Sequence, residues 1–229
     1  MSDPTSIDEI KDPRELQTIY ERRFDAMLDY RMAVWSVLVR DFFQRHIPAD
    51  ATVLDLGAGY GEFINHVVAG RKVAMDLNPK LQARVSPGIE VVLQNCTDPW
   101  PFAAASLDVV FTSNFFEHLP DKGALKRTFA QIRRCLKPGG KLIALGPNIR
   151  YLHGAYWDFW DHFLCLTDQS IAEGLETNGF RVLERHPRFL PYSMVNAPRW
   201  PLACVRIYVK MPSLWRLFGR QFLVVATPA

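Results

Sequence analysis

Three features of this 229-residue chain predict an α/β fold, a Rossmann-like, mostly parallel seven-stranded sheet with helices on both faces. Runs of branched and aliphatic residues alternate with amphipathic stretches from residue 52 to residue 146, the pattern of parallel strands joined by crossover helices. The first run, TVLDL at 52–56, breaks into Gly57, Gly59 and Gly61. A buried strand does this where the backbone must turn tightly and approach a ligand without a Cβ in the way. An acidic residue, Asp76, closes the next run, RKVAMD, about twenty residues on, where it can hold two ribose hydroxyls.

The elements follow in order. Residues 7–46 hold two helical stretches. In the second, Phe24, Met27, Leu28, Met32, Trp35, Leu38, Val39 and Phe42 recur at steps of three and four, an apolar helix face. Pro48 and Asp50 end this N-terminal cap or lid of residues 1–48, and the alternating domain occupies 49–229. Strands are expected at about 52–56, 72–76, 89–94, 107–112 and 141–146, with helices at 60–69 and 121–136. The run Lys137-Pro138-Gly139-Gly140 stops the second helix and turns the chain.

After Pro147 comes NIRYLHGAYWDFWDHFLCL, too aromatic for a plain connector and too polar for a plain core. Thr167 or Asp168 then caps a helix that stops at Asn178-Gly179. A sixth strand is expected at 180–186 and a last one at 221–227, with an insertion rich in Pro, Arg and Trp at 188–219 before it. The segments 147–166 and 188–219 are the expected substrate side.

Composition narrows the class. A 48% hydrophobic and 22% charged content suits a soluble globule. No apolar run approaches the roughly 18 residues of a membrane span, and the N-terminus lacks a signal-peptide pattern. Cys96, Cys135, Cys165 and Cys204 form no C-x-x-C pair, so a cytoplasmic location is expected. From Arg185 onward there are seven cations and no acid, an asymmetry that suits an anionic partner or acids elsewhere in the fold.

The glycine spacing separates possible cofactors. A pyrophosphate-binding turn reads G-x-G-x-x-G, whereas this one reads G-x-G-x-G with Asp55 two residues before it. A carboxylate there repels a diphosphate and attracts a cation. S-adenosylmethionine, with a sulfonium, an ammonium and no phosphate, fits better than a nicotinamide dinucleotide.

On these residues the stretch from about 50 to 146 resembles a class I S-adenosylmethionine-dependent methyltransferase. The resemblance runs through DLGAGYG at 55–61, DLNP at 76–79, NCTDPWPF at 95–102, LDVVFTSNFFEHL at 107–119 and LKPGGKLI at 136–143. It implies a cofactor loop of Asp55, Gly57, Ala58, Gly59 and Tyr60, with the methionine part against Gly57 and Gly59. It also implies that Asp76, with Leu77 and Asn78, holds the ribose, that Cys96 and Thr97 flank the adenine, and that Ser113–Asn114 floors the pocket. Many relatives have an Asp where Cys96 stands, so the adenine falls to the Cys96 N–H with the Thr97 hydroxyl, or to Asp98.

Methyl transfer needs alignment, exclusion of water and, for a hydroxyl acceptor, a place for one proton. His153, Asp161 and His162 are the candidates, although adjacent residues 161 and 162 need not form a dyad. The expected role of Glu117 and His118 is to shape their loop. No H-x-x-x-H spacing marks a metal site, so none is expected. Tyr20 and Arg23 are expected to close on the cofactor, Arg23 at its carboxylate. The aromatics of 151–163 cover the cofactor or build a core.

The expected activity is methylation of oxygen or nitrogen on a small or medium-sized acceptor, anionic or linked to sugar or lipid. Carbon methylation of a quinone-like ring, a non-catalytic nucleoside-binding protein and a nicotinamide-dependent reductase are the rivals. The basic, aromatic segment 199–220 suits peripheral contact with an anionic membrane. Sequence-specific nucleic-acid binding is not expected, since the cations form no dense run.

Overall fold

The computed structural model describes residues 27–192 and 198–229. Seven strands form one sheet: β1 (Thr52–Leu56), β2 (Arg71–Asp76), β3 (Glu90–Leu93), β4 (Leu107–Ser113), β5 (Leu136–Pro147), β6 (Phe180–His186) and β7 (Gln221–Pro228). Their order is β3-β2-β1-β4-β5-β7-β6. The first five in that order pair in parallel, and β7 runs antiparallel to both β5 and β6. The helices are α1 (Leu28–Asp41), α2 (Leu81–Arg84), α3 (Lys122–Cys135), α4 (Asp168–Thr177), α5 (Leu202–Lys210) and α6 (Pro212–Phe218).

The central strands are apolar throughout because both faces of the sheet are covered. Leu54, Val73, Val110, Leu142 and Val224 pack with Phe129 and Ile132 of α3 and with Ile171 and Leu175 of α4. Their neighbours Val53, Val109, Phe111, Ile143 and Val225 belong to a second core with Trp35 and Val39 of α1, Phe43 and Trp215 of α6. Period-two alternation thus divides each strand between two cores. Asp121 starts α3 by accepting from the Ala124 N–H at 2.7 Å. Thr167 starts α4 in a reciprocal capping pair with Ser170.

Three expectations change. No α-helix spans 60–69, which is instead a run of turns tied by Asn65 N–H to Gly61 O and Val67 N–H to Phe63 O. The Ile64 N–H goes to the Asp55 carboxyl, so the helical ladder is interrupted by the first residue of the site. β5 begins at Leu136, five residues before the expected start at 141, because Leu136 already pairs with Leu107. The 188–219 insertion contains two helices, α5 following Pro201 and α6 opening on Pro212, where a missing N–H costs nothing. The first helical stretch of the cap, with Tyr20 and Arg23, lies outside the described residues.

Candidate functional site

Strand order reverses between β1 and β4, and in such sheets the crevice beyond the carboxyl ends at that point is the ligand site. Two hollows lie there, one on each side of Gly57, which lines both. The small one, about 30 Å³, is bounded by Met75, Asp76, Leu77, Asn95, Cys96 and Thr97. The large one, about 710 Å³, is lined by Asp55, Ala58 and Gly59 and also by Glu117, His118, Asp161 and His162.

Gly57 sits at φ +71°, and a Cβ added to it would lie 2.3 Å from the Phe115 ring. The positions of 57–59 are therefore set by glycine's freedom and by the N–H groups of Gly57 and Ala58, which both donate to Met75 O. Asp76 spans the loop: one oxygen accepts from Gly59 N–H and the other from Asn78 N–H, each at 2.8 Å. Asn78 is buried and accepts from Lys80 N–H, so its side chain shapes this turn and lines neither hollow. Tyr60 likewise points away, buried beneath the Arg84 guanidinium at 4.7 Å.

The residues expected near the adenine are placed differently. Asp98 is exposed and lies off the hollow, whereas Cys96 and Thr97 line it. The Thr128 hydroxyl contacts the Cys96 sulfur at 3.3 Å, and the Trp100 indole donates to the Cys96 carbonyl at 2.9 Å. The Thr97 hydroxyl donates to Asn95 Oδ1. Ser113 and Asn114, the latter at φ +50°, line the large hollow.

Asp55 is 3% exposed, and burial raises its pKa well above the usual carboxylate range, with Glu62 and Asp76 adding repulsion. Glu62 lines the same hollow and is gripped by Arg31 of α1 at 2.6 Å. Sequence reading missed Arg31 and Glu62. Nothing local marks Arg31 among the helix residues, but an acid directly after the last loop glycine was a usable signal.

The far end differs most from expectation. His153 is exposed on a turn at φ +46° and lines neither hollow, so it is separated from the other candidates. Asp161 pairs with His118 rather than with its neighbour: His118 Nδ1 lies 3.2 Å from the Asp161 carboxylate and 2.8 Å from its carbonyl. His162 instead directs Nδ1 at the Tyr156 carbonyl, 2.9 Å away, and stacks on Phe159. The two imidazoles are 4.9 Å apart. The Glu117 carbonyl accepts from the Phe163 and Leu164 N–H groups, so Glu117 and His118 together latch the aromatic segment to the exit of β4. Of that segment's aromatics, Phe159 lines the hollow, Tyr156 is buried behind it, and Trp157, Trp160 and Phe163 face outward.

Residues 54–144 match the family model described as a methyltransferase domain. A demethylmenaquinone methyltransferase of Symbiobacterium thermophilum is 26% identical over 203 residues, 81% of this chain and 78% of that protein. A ubiquinone biosynthesis O-methyltransferase of Xanthomonas axonopodis pv. citri is 36% identical over 105 residues, 42% of this chain and 43% of its own length. Among solved structures, the methyltransferase complexed with the Haloferax volcanii Trm112 methyltransferase activator superposes with a TM-score of 0.69 at 20% identity, covering 95% of this chain and 97% of that one. A SAM-dependent methyltransferase from Archaeoglobus fulgidus gives 0.64 at 20% identity, over 86% and 94%.

The fold and the matched domain are those of class I methyltransferases. Residues 54–144 are thus a methyltransferase domain, and S-adenosylmethionine is the cofactor expected of it.

Proposed function

We propose that the chain transfers the methyl group to a hydroxyl oxygen of an apolar, small or medium-sized acceptor that enters the large hollow. The carrying observation is that the two hollows meet at Gly57, so an adenosyl group on one side leaves its methionine end facing the acceptor on the other. Asp76 takes the ribose hydroxyls, Leu77, Cys96 and Thr97 surround the adenine, and Gly57, Ala58 and Gly59 carry the methionine part. Asp55 faces the cationic end, where opposite charge favours the sulfonium and ammonium. Arg31, paired with Glu62, lines the large hollow from α1 and adds to the cofactor side that Arg23 is expected to close.

At the far end His162 faces the acceptor and Asp161 acts through His118, while Ser113 and Asn114 form the floor. The enclosing wall is Val34, Trp35, Leu38, Phe159, Leu190, Val205 and Leu214, which excludes water from the displacement. Apolar side chains exposed on α5 and α6, Ile207, Leu217 and Phe218, lie beside Arg206, Lys210 and Arg216. An anionic membrane surface suits this pairing, and Val205, Leu214 and Phe218 carry it to the hollow, so a lipid-dissolved acceptor can pass inward.

Carbon methylation of a quinone-like ring is the second reading, favoured by the match over 81% of this chain to a demethylmenaquinone methyltransferase. The test is incubation with labelled cofactor and a panel of prenylated phenols, catechols and quinols, with products identified by mass spectrometry. Methylation on oxygen supports the proposal. Methylation on ring carbon replaces it with the second reading, and methylation of polar amines alone overturns both.

A further inference from the structure

We infer that Glu117, His118 and His162 form a divalent transition-metal site at the acceptor end of the large hollow, of the two-imidazole, one-carboxylate type that suits Zn2+. Each offers one ligand atom, and these atoms lie within 4.8 Å of one another. Ligands about 2.1 Å from a tetrahedral ion stand about 3.4 Å apart, so closing the site takes shifts of roughly an ångström or less. All three residues line the hollow.

The tautomers support the assignment independently of proximity. His118 Nδ1 faces the Asp161 carbonyl and carboxylate, and His162 Nδ1 faces the Tyr156 carbonyl. Those oxygens only accept, so the proton of each neutral ring is on Nδ1 and the lone pair is on Nε2. Metal-bound histidines are oriented in this way by carbonyl or carboxylate partners behind them. The remaining coordination positions open into a hollow whose other walls are largely apolar, as a site that receives a substrate oxygen requires.

Chemically, the ion supplies Lewis acidity and lowers the pKa of an acceptor hydroxyl without changing oxidation state. The hydroxyl proton leaves to solvent, the oxygen–carbon bond forms as the sulfur–methyl bond breaks, and the sulfonium becomes the neutral thioether of S-adenosylhomocysteine. The sequence concealed the site because 117–118 and 162 are separated by more than a helix and a strand.

The experiment uses tag-free, chelator-treated full-length protein titrated with Co2+ by visible absorption and with Zn2+ by calorimetry. Glu117→Gln and His162→Asn are compared, each first checked for S-adenosylhomocysteine binding. One ion per chain, weakened about 100-fold or more in both variants while the nucleoside still binds, is the expected result. No stoichiometric ion, or one whose affinity neither variant changes, overturns the site and leaves the cluster as a hydrogen-bonded latch. If a variant fails to fold, X-ray absorption of the zinc-loaded wild type decides: a shell with two imidazoles is expected, and one without them overturns the assignment. Loss of nucleoside binding in the wild type would instead count against the methyltransferase reading.

Discussion

Asp55 keeps a carboxyl group in a place where ionisation is costly, with Glu62 and Asp76 nearby and Arg31 already committed to Glu62. A folded-state pKa raised above the unfolded value contributes stability that is present below the unfolded value and lost as pH rises through the folded one. The cofactor-free protein should therefore lose stability over that window. A sulfonium and an ammonium beside Asp55 pull its pKa back down, so binding should release a proton and tighten as pH rises. Calorimetry in buffers of different ionisation heat measures this, and Asp55→Asn should abolish the release. A second residue-scale expectation concerns Gly57→Ala, which puts a methyl into the Phe115 ring at positive φ. It should cost roughly 1–3 kcal/mol of stability and weaken S-adenosylhomocysteine binding, readable by chemical denaturation and calorimetry. Gly57 and Asp76 were legible in the sequence because local backbone geometry dictates them. Arg31–Glu62 and His118–Asp161 were not, because each pair is made by tertiary folding between distant segments.

Among the elements, α5 and α6, with Trp200 just before them, expose large apolar side chains. Trp200 is 61% exposed, Leu217 62% and Phe218 55%, and a helix pair that leaves such side chains in water has an apolar partner to gain. The segment should bind vesicles containing anionic lipid, with only part of the affinity lost as salt rises. Leu217→Ser with Phe218→Ser should abolish flotation with the vesicles. The tail's cations are partly spoken for: Arg206 pairs with Asp41, Arg185 approaches Asp168, and Arg188 donates to the carbonyls of Leu217 and Gly219. The salt dependence should therefore be modest. These helices escaped sequence analysis because each is short and starts at a proline, a residue read first as a breaker. The helix expected at 60–69 failed for the opposite reason: its apolar spacing is helical, but Ile64, Val67 and Val68 are β-branched and the Ile64 N–H serves Asp55.

For the whole molecule, a ligand that binds at the meeting point of β1, β2 and β4 joins the two halves of the parallel sheet. S-adenosylhomocysteine at about 100 times its dissociation constant should add about 2.7 kcal/mol. That raises the melting temperature by roughly 5–10 °C in a chain of this size. NADH at the same concentration should leave it unchanged. The strands and their alternation with helices were legible because buried parallel strands must be apolar on both faces, as TVLDL and KLIALG are. No helix among the described residues is long and apolar enough to cross a membrane.

The reversal at β7 has a further consequence. Because β7 runs against β5 and β6, the chain leaves β6 and rejoins β7 on the face where the cofactor loop opens. The segment between β6 and β7 thus opens on that face while Phe189, Val209 and Trp215 root it in the second core. Exchanging only Leu190, Val205 and Leu214, which line the hollow, should therefore redirect which molecule is methylated while the nucleoside grip is inherited unaltered.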